Sequence, residues 1–161
     1  MTAVKNPSFA KAEMLIRKPV SEVFQAFINP AITTQFWFTK SSGNLVEGNE
    51  VQWTWEMYGH IESVLVKTIE PNVTIVIEWG SDADRSTVKW SFDEMSGNST
   101  FVSITNDGFT GDIEKIIAQV RDSTEGFTLV LAGLKALLEH NVQLNLVGDR
   151  FPKGIEAANA Q

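Results

Sequence analysis

The sequence predicts an α+β fold: a curved antiparallel sheet of about six to seven strands wrapped around a long C-terminal helix, with two short helices after the first strand. Three observations point to it. From Ile113 to Leu138, apolar residues recur at Ile113, Ile116/Ile117, Val120, Phe127, Val130/Leu131, Leu134 and Leu138, the spacing of one helix face. Ahead of that helix lies a run of Trp-, Phe-, Val- and Ile-rich segments separated by turn residues, the pattern of an antiparallel meander. No helical pattern falls between those segments, which disfavours a parallel sheet.

Residues 8–17 read as the first strand, with Phe9, Met14 and Ile16 as apolar anchors. Pro19-Val20-Ser21-Glu22 starts a helix, because proline is tolerated in the first turn and an acid there suits the helix dipole. Val20, Val23, Phe24 and Phe27 share one face of it. Asn29-Pro30 ends it, since a residue before proline avoids the α region. A second short helix is expected over 31–38, then a turn at 41–44. In the segment 50–58, Val51, Trp53, Trp55 and Met57 alternate with polar partners, as in a strand with one buried face. Tyr58-Gly59-His60 makes a reversal. Strands follow over 61–69, 73–79, 87–92 and 100–106. Val73, Ile75, Ile77 and Trp79 share a face of the second of these, Val88, Trp90 and Phe92 of the third, and Val102 and Ile104 point inward on the last. The facing of 60–69 is left open, because both its faces carry apolar residues. After His140, Val142, Leu144 and Leu146 alternate with polar residues. That tail is expected to add a short strand or to dock, either on its own subunit or, through Asp149-Arg150, on a second copy in a homodimer.

The chain of 161 residues is read as a single domain, a core over 8–140 with a tail over 141–161. It has no cysteine, which excludes disulfides, thiolate metal sites and thiol nucleophiles. Its two histidines, His60 and His140, lack ligand spacing, so no metal is expected. A net charge of −7, from 13 Lys+Arg against 20 Asp+Glu, argues against nucleic acid and against a polybasic membrane patch. With no long apolar run, the expectation is a soluble cytoplasmic protein. No phosphate-binding glycine loop, dinucleotide fingerprint or Gly-x-Ser-x-Gly element is present, and no cofactor is expected.

Three stretches, in this order, resemble the START-like (SRPBCC, birch-pollen-allergen-like) superfamily with its helix-grip fold, in the branch named after the activator of heat-shock-protein-90 ATPase. They are IRKPVSEVFQAFINPAITTQFW, STFVSITNDGF and GFTLVLAGLKALLEH. Phe127 stands where that branch usually has Trp, and Asn106 where a charged residue or His is frequent. The resemblance implies an apolar or amphipathic small molecule held between sheet and helix. It also implies two alternatives: a cyclase-, aromatase- or hydrolase-like enzyme, and a chaperone-associated protein-binding module.

The residues support a cavity on their own account. The apolar stripe of the long helix is interrupted by Ser123, Thr124 and Gly126, small or polar groups that leave room, or else mark a kink at the glycine. Five tryptophans and ten phenylalanines are either ordinary core or the lining of a site for a flat, greasy ligand. The candidate ligand-binding residues are Phe36, Trp37, Trp53, Trp55, Trp79, Trp90, Ile104, Val120, Thr124 and Phe127. His60 and Glu62, two apart on one strand face with Glu78 nearby, are the candidates for acid/base chemistry, against the plainer alternative of a solvated turn. Arg17, Lys67 and Lys89 are candidate anchors for a ligand carboxylate.

Overall fold

A computed structural model describes residues 8–153. Its elements run β1 (Ala10–Ile16), α1 (Val20–Ile28), α2 (Pro30–Thr33), β2 (Lys40–Ser41), β3 (Glu50–Trp55), a 3₁₀ turn (Glu56–Tyr58), β4 (His60–Glu70), β5 (Thr74–Trp79), β6 (Ser86–Met95), β7 (Ser99–Asp107), α3 (Ile113–His140) and α4 (Leu146–Asp149). One seven-stranded antiparallel sheet has the order β1-β7-β6-β5-β4-β3-β2. This is the helix-grip arrangement. Among the described residues no helix is long and apolar enough to cross a membrane.

Local chemistry explains the helix ends. Asn29 closes α1 in an extended conformation, and its side chain accepts from the Ala31 N–H while Pro30 opens α2. Asp112 caps α3 by accepting from the Lys115 N–H, Glu114 follows in the first turn, and Asn141 ends the helix in the left-handed region at φ 53°. The second helix is shorter than the sequence suggests, and Lys40 with Ser41, the first residue of the expected turn, pairs with Thr54 and Trp53 as an edge strand.

Strand-face alternation places Val51, Trp53 and Trp55, Ile75 and Ile77, Val88, Trp90 and Phe92, and Val102 and Ile104 in the core, all buried. Val73 departs from this set: it precedes β5 and is exposed. A bulge resolves β4. The pairing runs Val66↔Ile77 and then Thr68↔Val76, leaving Lys67 as the extra residue. Before the bulge Glu62, Val64 and Val66 face inward. After it the phase flips, and Ile69 packs against the core. Ile69 thus joins Val64 and Val66 on the inward face in a second phase, while Ile61 and Leu65 lie on the outer face, Ile61 exposed.

Of all the strands, α3 packs most closely on β1, with α1 over β6 and β7. The last turns of α3 are locked to the end of β1: Lys135 Nζ donates to the Leu15 carbonyl at 2.7 Å, and the Arg17 N–H donates to Glu139 Oε2 at 2.8 Å. Phe127, Val130, Leu131, Leu134 and Leu137 are buried, whereas Ile113 and Ile117 in the first turns are exposed. The helix therefore grips the sheet through its C-terminal half. The described residues of the tail, 141–153, make no strand. After Asn141 the chain turns back and forms α4, whose Val147 packs against the core.

Candidate functional site

The N-terminal half of α3 stands over one end of the sheet, where β3, β5 and β7 finish and β4 and β6 begin. Between them lies a cavity of about 720 Å³. Helical spacing brings Gln119, Asp122, Ser123, Gly126, Phe127 and Val130 onto the face of α3 that bounds it. Trp37, Trp55 and Trp79 form the sheet-side wall. Trp79 and Phe127 are stacked at 5.9 Å between ring centroids, and Trp37 meets Trp55, Trp79 and Phe127 edge-on at 6.3, 6.1 and 5.7 Å. These four rings share one aromatic cluster with deeper residues, so their orientations are fixed by packing.

Of the expected lining residues, Trp37, Trp55, Trp79 and Phe127 are at the cavity. The expectation is corrected for six others. Phe36, Trp53, Trp90 and Ile104 lie behind the wall in the closed core, each at most 8% exposed. Strand alternation gives the inward side but not the depth along the strand, and the cavity occupies only one end of the sheet. Trp53 is instead stacked on Phe38 at 4.5 Å. Trp90 is packed by Phe27, Trp37 and Phe127, and its buried indole N–H has no hydrogen-bond partner among the described residues. Val120 and Thr124 sit beside the lining face of α3, because that face is phased on Gln119, Ser123 and Gly126. The expected gap at Ser123 and Gly126 is where the cavity opens.

His60 and Glu62 both reach the cavity, held together by a 2.9 Å contact between His60 Nε2 and Glu62 Oε2. The His60 side chain is 57% exposed and that of Glu62 20%, so the pair stands at the mouth. The second Glu62 oxygen accepts from the Gly80 N–H at 2.8 Å. Gly80 has φ 97°, and a Cβ there would lie 2.7 Å from the Asp84 carbonyl oxygen, so only glycine fits this turn comfortably. Glu78 is corrected. One residue before Trp79, it faces the other side of the sheet and pairs with Arg85 at 3.7 Å. Arg17, Lys67 and Lys89 are exposed and away from the cavity, so none meets a ligand carboxylate there. Among the described residues, no group of three His, Asp or Glu side chains could hold a metal ion.

Sequence reasoning missed two parts of the site. The first is a polar chain on its floor. Asn106, 3% exposed at the end of β7, donates to Ser86 Oγ at 3.0 Å and to the Thr87 carbonyl at 2.8 Å, and its Oδ1 accepts from Ser123 at 2.9 Å. A hydrogen-bonding amide thus joins β6, β7 and α3. The second is the tail, which flanks the mouth with Val147, Arg150 and Phe151. Tyr58 donates its hydroxyl proton to the Val147 carbonyl, its ring lies 6.0 Å from Phe151, and Arg150 pairs with Glu125 of the same chain. Arg150 is therefore engaged within its own chain. The only forewarning in sequence was the apolar content of 142–151.

Comparison with known proteins follows the same lines. No curated protein matches the chain. Among solved structures, the protein SSP2350 from Staphylococcus saprophyticus is 27% identical, with a TM-score of 0.71 over 84% of this chain and 95% of that one. The Aha1 protein from Colwellia psychrerythraea, solved as a dimer, is 17% identical with a TM-score of 0.69 over 82% and 96% of the two chains. DynU16, from the dynemicin biosynthetic locus, is 16% identical with a TM-score of 0.74, and this chain spans about half its length (84% of this chain, 49% of DynU16). The sequence profile of one family covers residues 17–139, from the end of β1 to the last turn of α3. On that match the chain belongs to the family described as Activator of Hsp90 ATPase homolog 1-like protein.

Proposed function

We propose that the protein binds a hydrophobic or amphipathic small molecule in the cavity between the sheet and the N-terminal half of α3. The observation that carries this reading is the aromatic wall of Trp37, Trp55, Trp79 and Phe127 around about 720 Å³. Small-molecule sites fall at roughly 300–1,000 Å³ and combine such walls with a few placed polar groups, here Asn106, Ser123 and Gln119. Native mass spectrometry of gently purified protein, with titration of the neutral dye Nile red, tests it. Retained ligand, or saturable dye binding that quenches tryptophan emission, supports the reading. Neither retained ligand nor saturable binding sinks it.

A second reading is supported by the His60–Glu62 pair at the mouth and by the fold likeness to DynU16, from a biosynthetic locus. Here the pair moves protons on a flexible polyketide-like substrate, as a cyclase does. It requires turnover of a poly-β-keto model substrate that is lost in His60→Gln and Glu62→Gln; turnover unchanged in both removes it. The chaperone-associated alternative requires a large exposed apolar patch. The exposed apolar side chains include Ile113 and Ile117 on one face of α3 and Val142 and Leu144 in the tail, and this alternative needs such groups to join into one surface. The dimeric Colwellia protein supports a homodimer here, which light scattering on the full chain decides. A cysteine-free composition fits the proposed cytoplasmic location.

A further inference from the structure

The charge of the cavity narrows what it can hold. Four carboxylates line it: Glu62, Asp84, Asp122 and Glu125. One guanidinium, that of Arg150, stands among them, and it is already paired with Glu125. Asp84 is answered from outside the lining by Lys115 at 2.8 Å. Asp122 has no ion-pair partner among the described residues. Counting Lys115 and Arg150 against the four acids leaves two negative charges. An acid-lined mouth over a low-dielectric aromatic wall repels an anion and attracts a cation.

The aromatic wall is compatible with that charge. Trp37, Trp55 and Trp79 line the cavity, and an organic cation is attracted to an aromatic ring through the ring quadrupole.

Resting on the cavity-binding reading above, we infer that the site takes an amphipathic organic cation. This would be a molecule with an aromatic or apolar body against the tryptophans and a protonated or quaternary amine toward Asp122 and the other lining carboxylates. Fatty carboxylates, phosphate esters and acyl thioesters of anionic carriers are disfavoured.

The test uses three probes with one ring system: 1-naphthylmethylamine, 1-naphthylmethanol and 1-naphthoate, titrated into the full chain and followed by tryptophan fluorescence. The amine is expected to bind at least tenfold tighter than the carboxylate at low salt, with the alcohol between them. The preference should shrink in about 0.5 M salt, where exposed charges are screened. Asp122→Asn should reduce it several-fold. Glu125→Gln, which releases Arg150, should raise carboxylate affinity. Equal binding of all three probes, or tighter carboxylate binding, overturns the cation inference while leaving the cavity reading standing. Absence of binding by any probe counts against both. An amine preference unchanged in Asp122→Asn and in high salt also overturns the inference, since the selectivity would then not come from the acidic lining.

Discussion

Gly126 offers a perturbation that separates folding from binding. It lies in the cavity face of α3, and a Cβ built on it meets no atom within 4 Å. Replacing a helical glycine by alanine removes a conformational penalty of about 1 kcal/mol. For a domain of this size that raises the melting temperature by roughly 2–4 °C. Leucine gains nearly the same helix propensity but sends roughly four carbon atoms into the space a ligand would use. At about 0.3 kcal/mol per displaced ligand atom, binding weakens by about 1.2 kcal/mol, a little under tenfold. Gly126→Ala should therefore be more stable and bind Nile red nearly as well, and Gly126→Leu should be as stable as Gly126→Ala and bind it several-fold more weakly. Differential scanning fluorimetry and dye titration read the two effects. Undiminished binding by Gly126→Leu would refute this face of α3 as a wall of the binding site. A lowered melting temperature in Gly126→Ala would refute the open space beside the glycine.

Core and wall tryptophans should part company. Trp53→Ala removes a fully buried, stacked ring and should cost about 3–5 kcal/mol by denaturant unfolding, whereas Trp79→Ala, half-buried at the cavity, should cost about 2 kcal/mol and abolish dye binding. Asn106→Leu strips partners from Ser86, Thr87 and Ser123 at once and should destabilise by roughly 1–3 kcal/mol; a neutral unfolding result would contradict the polar chain. Burial pushes the Glu139 carboxyl up, but the Arg17 N–H and Lys135 ammonium outweigh it and hold the group below the ordinary carboxylate range. Its folded pKa being lowered, its contribution is full above the unfolded value near ~4.3 and is lost as pH falls through the folded one. Glu139→Gln should thus lower stability at pH 7 and flatten the acid limb of the stability curve. In the tail, Arg150→Ala with Tyr58→Phe should speed amide exchange over 145–153 with less than about 1 kcal/mol change in global stability.

How far the sequence reached follows from what each pattern encodes. Period-2 alternation assigned the inward faces of 50–55, 75–79, 88–92 and 102–104, because side-chain direction in a strand is a local property. It failed on 60–69, since a bulge at Lys67 shifts the phase, and a bulge leaves no signature in a run that is apolar on both faces. The break at Ser123, Thr124 and Gly126 points to the cavity, but the lining face is phased on Gln119, Ser123 and Gly126, so Val120 from the apolar stripe and Thr124 from the break sit beside it. Depth was not legible at all: Trp53 and Trp79 read alike in sequence and lie at the same end of the sheet, but Trp37 and Phe38 cover Trp53 and make it core. Asn106 looked like a departure from a family pattern, yet its amide is fully used, because the polarity of that position is demanded by Ser86 on β6 and Ser123 on α3. The tail alternated like a strand. Left-handed Asn141 and Asn145 instead turn it back toward Tyr58 and Glu125, and no propensity of residues 142–146 could reveal those partners.

The central claim is that the space between Trp79 and Gly126 is a binding site. The most direct measurement is a high-resolution crystal structure of protein purified without detergent and soaked with 1-naphthylmethylamine. The account requires ring-shaped density against Trp37, Trp55 and Trp79, with its polar end toward Asp122. A cavity closed by those same tryptophans, or holding only ordered water after the soak, would contradict it.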